Sequence, residues 1–300
     1  MLNISRQILF CYLSNLMFLV VSSTACAQTK EGKLSVDEEQ ALVEKWYKAY
    51  DEIIDSIQVS QTPPTINSAT NSAQAELKRE IILSISNPAF LGRHGRVYLW
   101  TENGRPVVLS AIMSSLDANG SGRRHVTYEF NSLSQNPVTA GRNDRVYWNC
   151  TEPGVKWQSE LEESRPSSNR TARLAQMRTI ARDIEANIGA NNFRLMTTPL
   201  YRYPIETPDL TDGAIFAFVN GTDPVIFLLI EARQDKWYLS CSPSNVGKIS
   251  AKKGTKIIEL FDYGRNGDIF QTRPWYQRYT AELRPGNDPN KILSQAWGNR

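Results

Sequence analysis

The sequence predicts an α+β fold: two tandem units, each a helix plus an antiparallel meander, with a further helix near the amino terminus. Three observations carry this. Apolar residues recur at helical spacing from Leu42 to Ile57 and again from Leu174 to Ile188. Between and beyond these stretches the texture is that of strands, with Asn103-Gly104 a strong hairpin signal. Finally, Gly95–Ile112, GRVYLWTENGRPVVLSAI, is echoed without gaps by Gly213–Ile230, GAIFAFVNGTDPVIFLLI, at an offset of 118 residues.

Within the echo, Gly95, Pro106, Val107 and Ile112 recur as Gly213, Pro224, Val225 and Ile230, and Val97, Tyr98, Trp100 and Val108 meet residues of like character. The strands that follow correspond too, His125–Phe130 with Trp237–Cys241 and Arg145–Asn149 with Lys256–Phe261. Four identities in 18 positions lie within reach of two unrelated hairpins. The repeated order of helix, hairpin and two strands is what favours an internal duplication.

The elements follow in order. Met1–Gln7 carries one charged side chain, Arg6, ahead of the apolar Ile8–Val21 and the small, polar Ser22–Ala27. That is the layout of a secretory signal, and the apolar run is shorter than the ~20 residues of a spanning helix. Residues 1–27 are therefore expected to direct export. Ala25-Cys26-Ala27 offers cleavage before Gln28, whereas Ser23-Thr24-Ala25-Cys26 offers a lipid anchor on Cys26.

Residues 28–74 hold the N-terminal helix, opened by the capping box Ser35-Val36-Asp37-Glu38, and a polar linker from Gln58 to about Ala73. The helix is acidic away from its apolar face and is expected to be mobile with its linker. Residues 75–166 form the first β unit: a short helical turn over Ala75–Glu80, then strands at Ile81–Ser86, Arg96–Thr101, Pro106–Ser114, His125–Phe130 and Arg145–Asn149. Residues 167–264 hold a helix from about Arg170 to Ile188 and a second β unit beginning at Phe193. The tail, 265–300, is too punctuated by Pro and Gly for one long element.

The chain is 41% hydrophobic and 22% charged, an ordinary globular composition. A net charge of +3 is too weak to predict nucleic-acid binding, and no segment after the signal is apolar enough to span a membrane. Cys150 and Cys241 remain once the signal is removed. In an oxidising compartment they could form a disulfide, or each could be a separate buried thiol.

No catalytic or cofactor motif stands out. The two histidines, His94 and His125, read as surface residues, and no nucleophile elbow, clustered metal ligands or phosphate loop is present. Neither a metal nor another cofactor is expected. The candidate ligand-binding residues are Glu129, between Tyr128 and Phe130, Arg202, between Tyr201 and Tyr203, and Glu231 and Arg233, which end the strand Val225–Arg233. Convergence would make a polar cleft for an anionic or sugar-like ligand. Dispersal would leave ordinary cross-strand ion pairs on solvated faces.

The phrases VYLWTENGRPV, YEFNSLS, PLYRYP and DGAIFAFVNGTDPVIFLLIEAR together resemble an uncharacterised family of secreted planctomycete proteins. The likeness runs from about Ile81 to Leu260. It implies export and a shared architecture but no activity, substrate or catalytic residue. Members often carry a His where this chain has Tyr128, which counts against a His-dependent reaction on that strand. The expectation is a non-enzymatic binding or structural module of the periplasm or cell surface, contacting an envelope component or protein partner. The alternative is an extracytoplasmic hydrolase with an unfamiliar site near His125 and Glu129.

Overall fold

In the computed structural model, helix α1 (Val36–Asp55) leads into strand β1 (Gln58–Gln61). Four long strands follow: β2 (Leu77–Asn87), β3 (Arg93–Glu102), β4 (Arg105–Leu116) and β5 (Arg124–Ser132). Two shorter ones, β6 (Val138–Arg142) and β7 (Arg145–Cys150), complete the first half. After β8 (Gln158–Ser159), the order recurs with α2 (Arg170–Arg182), β9 (Ile184–Ile188) and the two-residue β10 (Asn191–Asn192). The long strands of the second half are β11 (Arg194–Arg202), β12 (Asp212–Asn220), β13 (Asp223–Arg233) and β14 (Lys236–Pro243). Then come β15 (Lys248–Lys253), β16 (Lys256–Asp262), β17 (Gln271–Arg273) and β18 (Tyr276–Leu283).

The described residues are 36–62, 77–117, 124–143, 145–159, 165–204, 207, 209–244, 248–254, 256–262, 271–273 and 276–283. The signal segment, Cys26, Gln28 and Ser35 of the expected capping box lie outside them. The chain divides into Met1–Gln40, of which only the opening of α1 is described, and Ala41–Arg300, which carries everything below.

Every named pairing is antiparallel. Strands β2 to β5 are successive neighbours in a six-stranded sheet extended by β18 and β17, and β11 to β14 are successive neighbours in a five-stranded sheet ended by β8. In each half the strand after the helix joins the closing hairpin, giving β1-β6-β7 and β10-β9-β15-β16.

The expected α+β class therefore gives way to a mainly antiparallel β protein with two helices among the described residues. Three misread segments account for the difference. Gln58–Gln61, read as linker, is a strand against β6. Leu77–Glu80, read as a helical turn, extends β2. The second helix stops at Arg182, and Ile184 and Ile188, which fit its apolar stripe, instead belong to β9. A five-residue strand of apolar and polar residues is indistinguishable by spacing from the end of a helix. In the tail, Tyr276–Leu283 adds a strand to β5.

Alternation along the long strands builds the layers. One face of the first meander, Tyr98, Trp100, Val108, Ile112, Val126, Tyr128 and Phe130, packs against Trp46, Tyr50, Ile53 and Ile57 of α1 and its exit. Its other face, Val97, Leu99, Leu109, Ala111 and Met113, packs against Ile215, Ala217, Val219, Phe227 and Leu229 of the second meander. The outer face of that meander, Phe216, Phe218, Leu228, Ile230, Trp237 and Leu239, packs against Met177, Ile180 and Ala181 of α2. The result is helix, sheet, sheet, helix. Each fully buried large apolar side chain contributes about 1.5–3 kcal/mol. The expected mobile helix is thus a core element: Trp46, Tyr50 and Ile53 are fully buried.

Both hairpins break register at the same step. The shift falls between Trp100 and Thr101 in the first and between Phe218 and Val219 in the second, positions 118 residues apart. Each shift lies beside a proline, Pro106 and Pro224, where a strand tolerates a residue without an N–H. Asn103 and Gly104 both take positive φ at the first tip, and Gly221 does so at the second.

Candidate functional site

Glu231 follows Phe227 and Leu229 on the inner face of β13, where alternation carries a carboxylate into the layer between the sheets. It is 1% exposed and needs compensation. Two arginines supply it. Arg233, on the same face, donates from Nε at 2.6 Å. Arg105, at the tip of the β3–β4 hairpin of the other half, donates from Nη2 at 3.1 Å. Arg233 also stacks on two rings, with Cζ 4.3 Å from the Trp157 ring centre and 4.9 Å from that of Tyr238.

The row continues across the sheet. Tyr238 pairs with Glu231, Glu231 with Gly213, and the Tyr203 amide donates to the Gly213 carbonyl at 2.9 Å. The absence of a side chain at Gly213 lets the Tyr203 ring lie across it. Burial, with the Glu231 charge beside it, pushes the Tyr203 hydroxyl well above the usual tyrosine range. Tyr201 packs beside Tyr203 at 5.9 Å and donates its hydroxyl to Gly104 of the same hairpin tip. The cluster therefore joins both halves. Arg105 keeps 45% of its side chain in solvent while Glu231 is enclosed.

Two of the four sequence-predicted residues, Glu231 and Arg233, meet here. Arg202 does not, because alternation places it on the opposite face of the same sheet. There it donates from Nη2 to Asp212 at 2.6 Å, and Arg173 of α2 donates from Nε to the same carboxylate at 3.0 Å. Burial alone would raise the Asp212 carboxyl, but hydrogen bonds from Arg202 and Arg173 outweigh it and hold it below the usual range. Glu129, on β5, is 1% exposed and accepts from Ser244 at 3.3 Å. The solvated sheet faces of the alternative reading do not hold for it. His125 shares the strand face of Glu129 but stands four residues away, ~13 Å along the strand. Its Nε2 lies 3.9 Å from a carboxylate oxygen of Asp117.

The cysteines resolve to separate thiols. Cys150 and Cys241 are buried and not joined by a disulfide, Cys150 in the core under α1 and Cys241 in the core under α2. Of the two alternatives the sequence left open, the separate buried thiols hold, because the sheets stand between those cores.

His94 is the chief correction. Read as a surface residue, it is 3% exposed in β3, ringed by Trp46, Tyr47 and Tyr50. Its Nδ1 lies 3.0 Å from the Tyr50 hydroxyl, which donates to Ser114 at 2.7 Å. Burial, with the Arg124 charge nearby, pushes its pKa down to about 3. The signal for it was in the echo: His94 stands 118 residues before Asp212, itself a buried anchor for a helix. Arg105 was also legible that way, since it matches Asp223 at the second hairpin tip. Asp223 in turn reaches back to Arg93 of the first half, 3.0 Å away.

Among the described residues, no group of three or more His, Cys, Asp or Glu side chains is placed to hold a metal ion, and no helix is long and apolar enough to cross a membrane. No protein-family model, no curated protein and no solved structure matches this chain.

Proposed function

We propose that this chain is an exported, non-enzymatic binding module of the cell envelope, recognising an anionic or acidic-sugar group through Arg105 and the aromatic cluster around Glu231 and Arg233. The reading rests chiefly on one observation. Arg105 and Arg233 converge on a single buried carboxylate, leaving one positive charge in excess beside Trp157 and Tyr238. Arg offers planar, bidentate recognition of carboxylates and phosphates, and aromatic faces suit a sugar ring. Export is inferred from the secretory layout of residues 1–27 and from the likeness to secreted planctomycete proteins. Cys26 supplies the lipid-anchored variant of the same placement.

The two halves descend from one duplicated unit in this reading. Support comes from the repeated element order, the gapless offset of 118 residues and the register shifts at matching steps. Duplication brought the two hairpin tips to opposite ends of the layer between the sheets. Divergence at their matching residues gave one tip a cation, Arg105, and the other an anion, Asp223.

The test is a titration of purified protein with uronic-acid oligosaccharides, neutral oligosaccharides and anionic phospholipid vesicles, for wild type and Arg105→Met. Saturable binding of an acidic probe, weakened tenfold or more in the variant, is the expected result. Turnover of a substrate in a broad hydrolase screen, abolished by one substitution, would overturn it.

A further inference from the structure

Each half holds a buried arginine between its helix and the start of its second long strand. In the second half, Arg173 of α2 is 2% exposed and is neutralised by Asp212, the first residue of β12. The matching place in β3, 118 residues earlier, is His94. The arginine of this niche comes from β5: Arg124, 6% exposed. It donates from Nη1 to the Gly92 carbonyl at 3.0 Å and to Ser114 at 3.1 Å, and its Cζ lies 5.4 Å from the Trp46 ring centre. Among the described residues, no carboxylate pairs with it. Two buried N–H donors in this niche, Arg124 Nε and Trp46 Nε1, have no hydrogen-bond partner.

A buried guanidinium without a counter-charge costs several kcal/mol, as does each buried donor left unmade. The second half removes that cost with Asp212. The first half has put a neutral imidazole where the carboxylate would be. We infer that the niche formed by Arg124, Trp46, Tyr50, His94 and Ser114 is a binding site for a small oxyanion, a carboxylate or phosphate group, which takes the place that Asp212 fills in the other half. The site is distinct from the Arg105 cluster, because it lies on the α1 side of the first meander rather than between the sheets.

The experiment is thermal unfolding of the purified full chain in acetate, phosphate or chloride at constant ionic strength and millimolar concentrations. The expected result is a saturable rise in Tm with one of the two oxyanions over chloride, about 3–5 °C per tenfold beyond half-saturation. The rise is lost in Arg124→Met and kept in Arg182→Gln, which alters an exposed arginine at the end of α2. The acetate and phosphate arms identify which oxyanion binds. Should Arg124→Met fail to fold, His94→Asp decides the matter. Supplying the missing carboxylate raises Tm in chloride and abolishes the oxyanion response. No oxyanion-specific rise in the wild type, or a His94→Asp protein that is destabilised and still responds, overturns the inference.

Discussion

Tyr203 lies flat across Gly213, so that a methyl group built at Gly213 would sit 2.5 Å from two ring carbons of Tyr203. That approach lets the tyrosine ring reach over β12 towards Glu231. Gly213→Ala forces the ring to shift inside a closed layer and is expected to cost about 1–3 kcal/mol in urea unfolding. Combining it with Tyr203→Leu, which removes the clashing ring, should cost less than the sum of the two single changes. An additive double mutant would show that the contact does not constrain the fold.

Glu231 is the shared acceptor of Arg105 and Arg233. Glu231→Gln leaves two guanidinium groups facing a neutral amide in an enclosed place, with an expected loss of about 3–5 kcal/mol. Arg105→Met should cost far less, about 1 kcal/mol, because its side chain is 45% exposed and Arg233 still serves the carboxylate. Paired denaturant titrations give the ranking. Equal losses would mean that the carboxylate is not the centre of the cluster.

His94 gives the fold a pH dependence with a defined sign. Its pKa is about 3 in the fold against 6.5 for the free side chain. Between those values the unfolded chain binds the proton and the folded chain does not, so stability rises with pH. The contribution is complete above pH 6.5 and is lost progressively as pH falls towards 3. Wild type and His94→Gln should therefore converge by about 2 kcal/mol between pH 7 and 5, measured by denaturant unfolding. Parallel profiles would place a charged or exposed imidazole at this position.

Cys150 and Cys241, unbridged and buried in separate cores, should react with a thiol reagent only on unfolding. Two thiols titrated in denaturant and none in native buffer is the expected count for protein produced from Gln28 onward. A protein that yields none in denaturant without reductant would carry the disulfide instead.

The sequence made the long hairpins legible because Asn103-Gly104 and the run around Gly221 demand tight turns between apolar strands. It also marked the buried face of α1, from Trp46 to Ile57. What it hid were the short strands. Gln58–Gln61, Val138–Arg142 and Lys248–Lys253 are polar enough to read as connections, and pairing with distant segments makes them strands. The site was half legible for a related reason. Alternation along one strand groups Glu231 with Arg233, but it does not show which face Arg202, on another strand, will take. The echo marks Arg105 as a hairpin-tip residue, but spacing along one strand does not show that this tip, or Trp157, will arrive beside Glu231 and Arg233.

The most direct test of the central claim is native mass spectrometry of the protein isolated from its native host, wild type beside Arg105→Met. The account predicts an anionic species bound to the wild-type chain and missing from the variant. A wild-type protein that carries no species absent from the variant would contradict it.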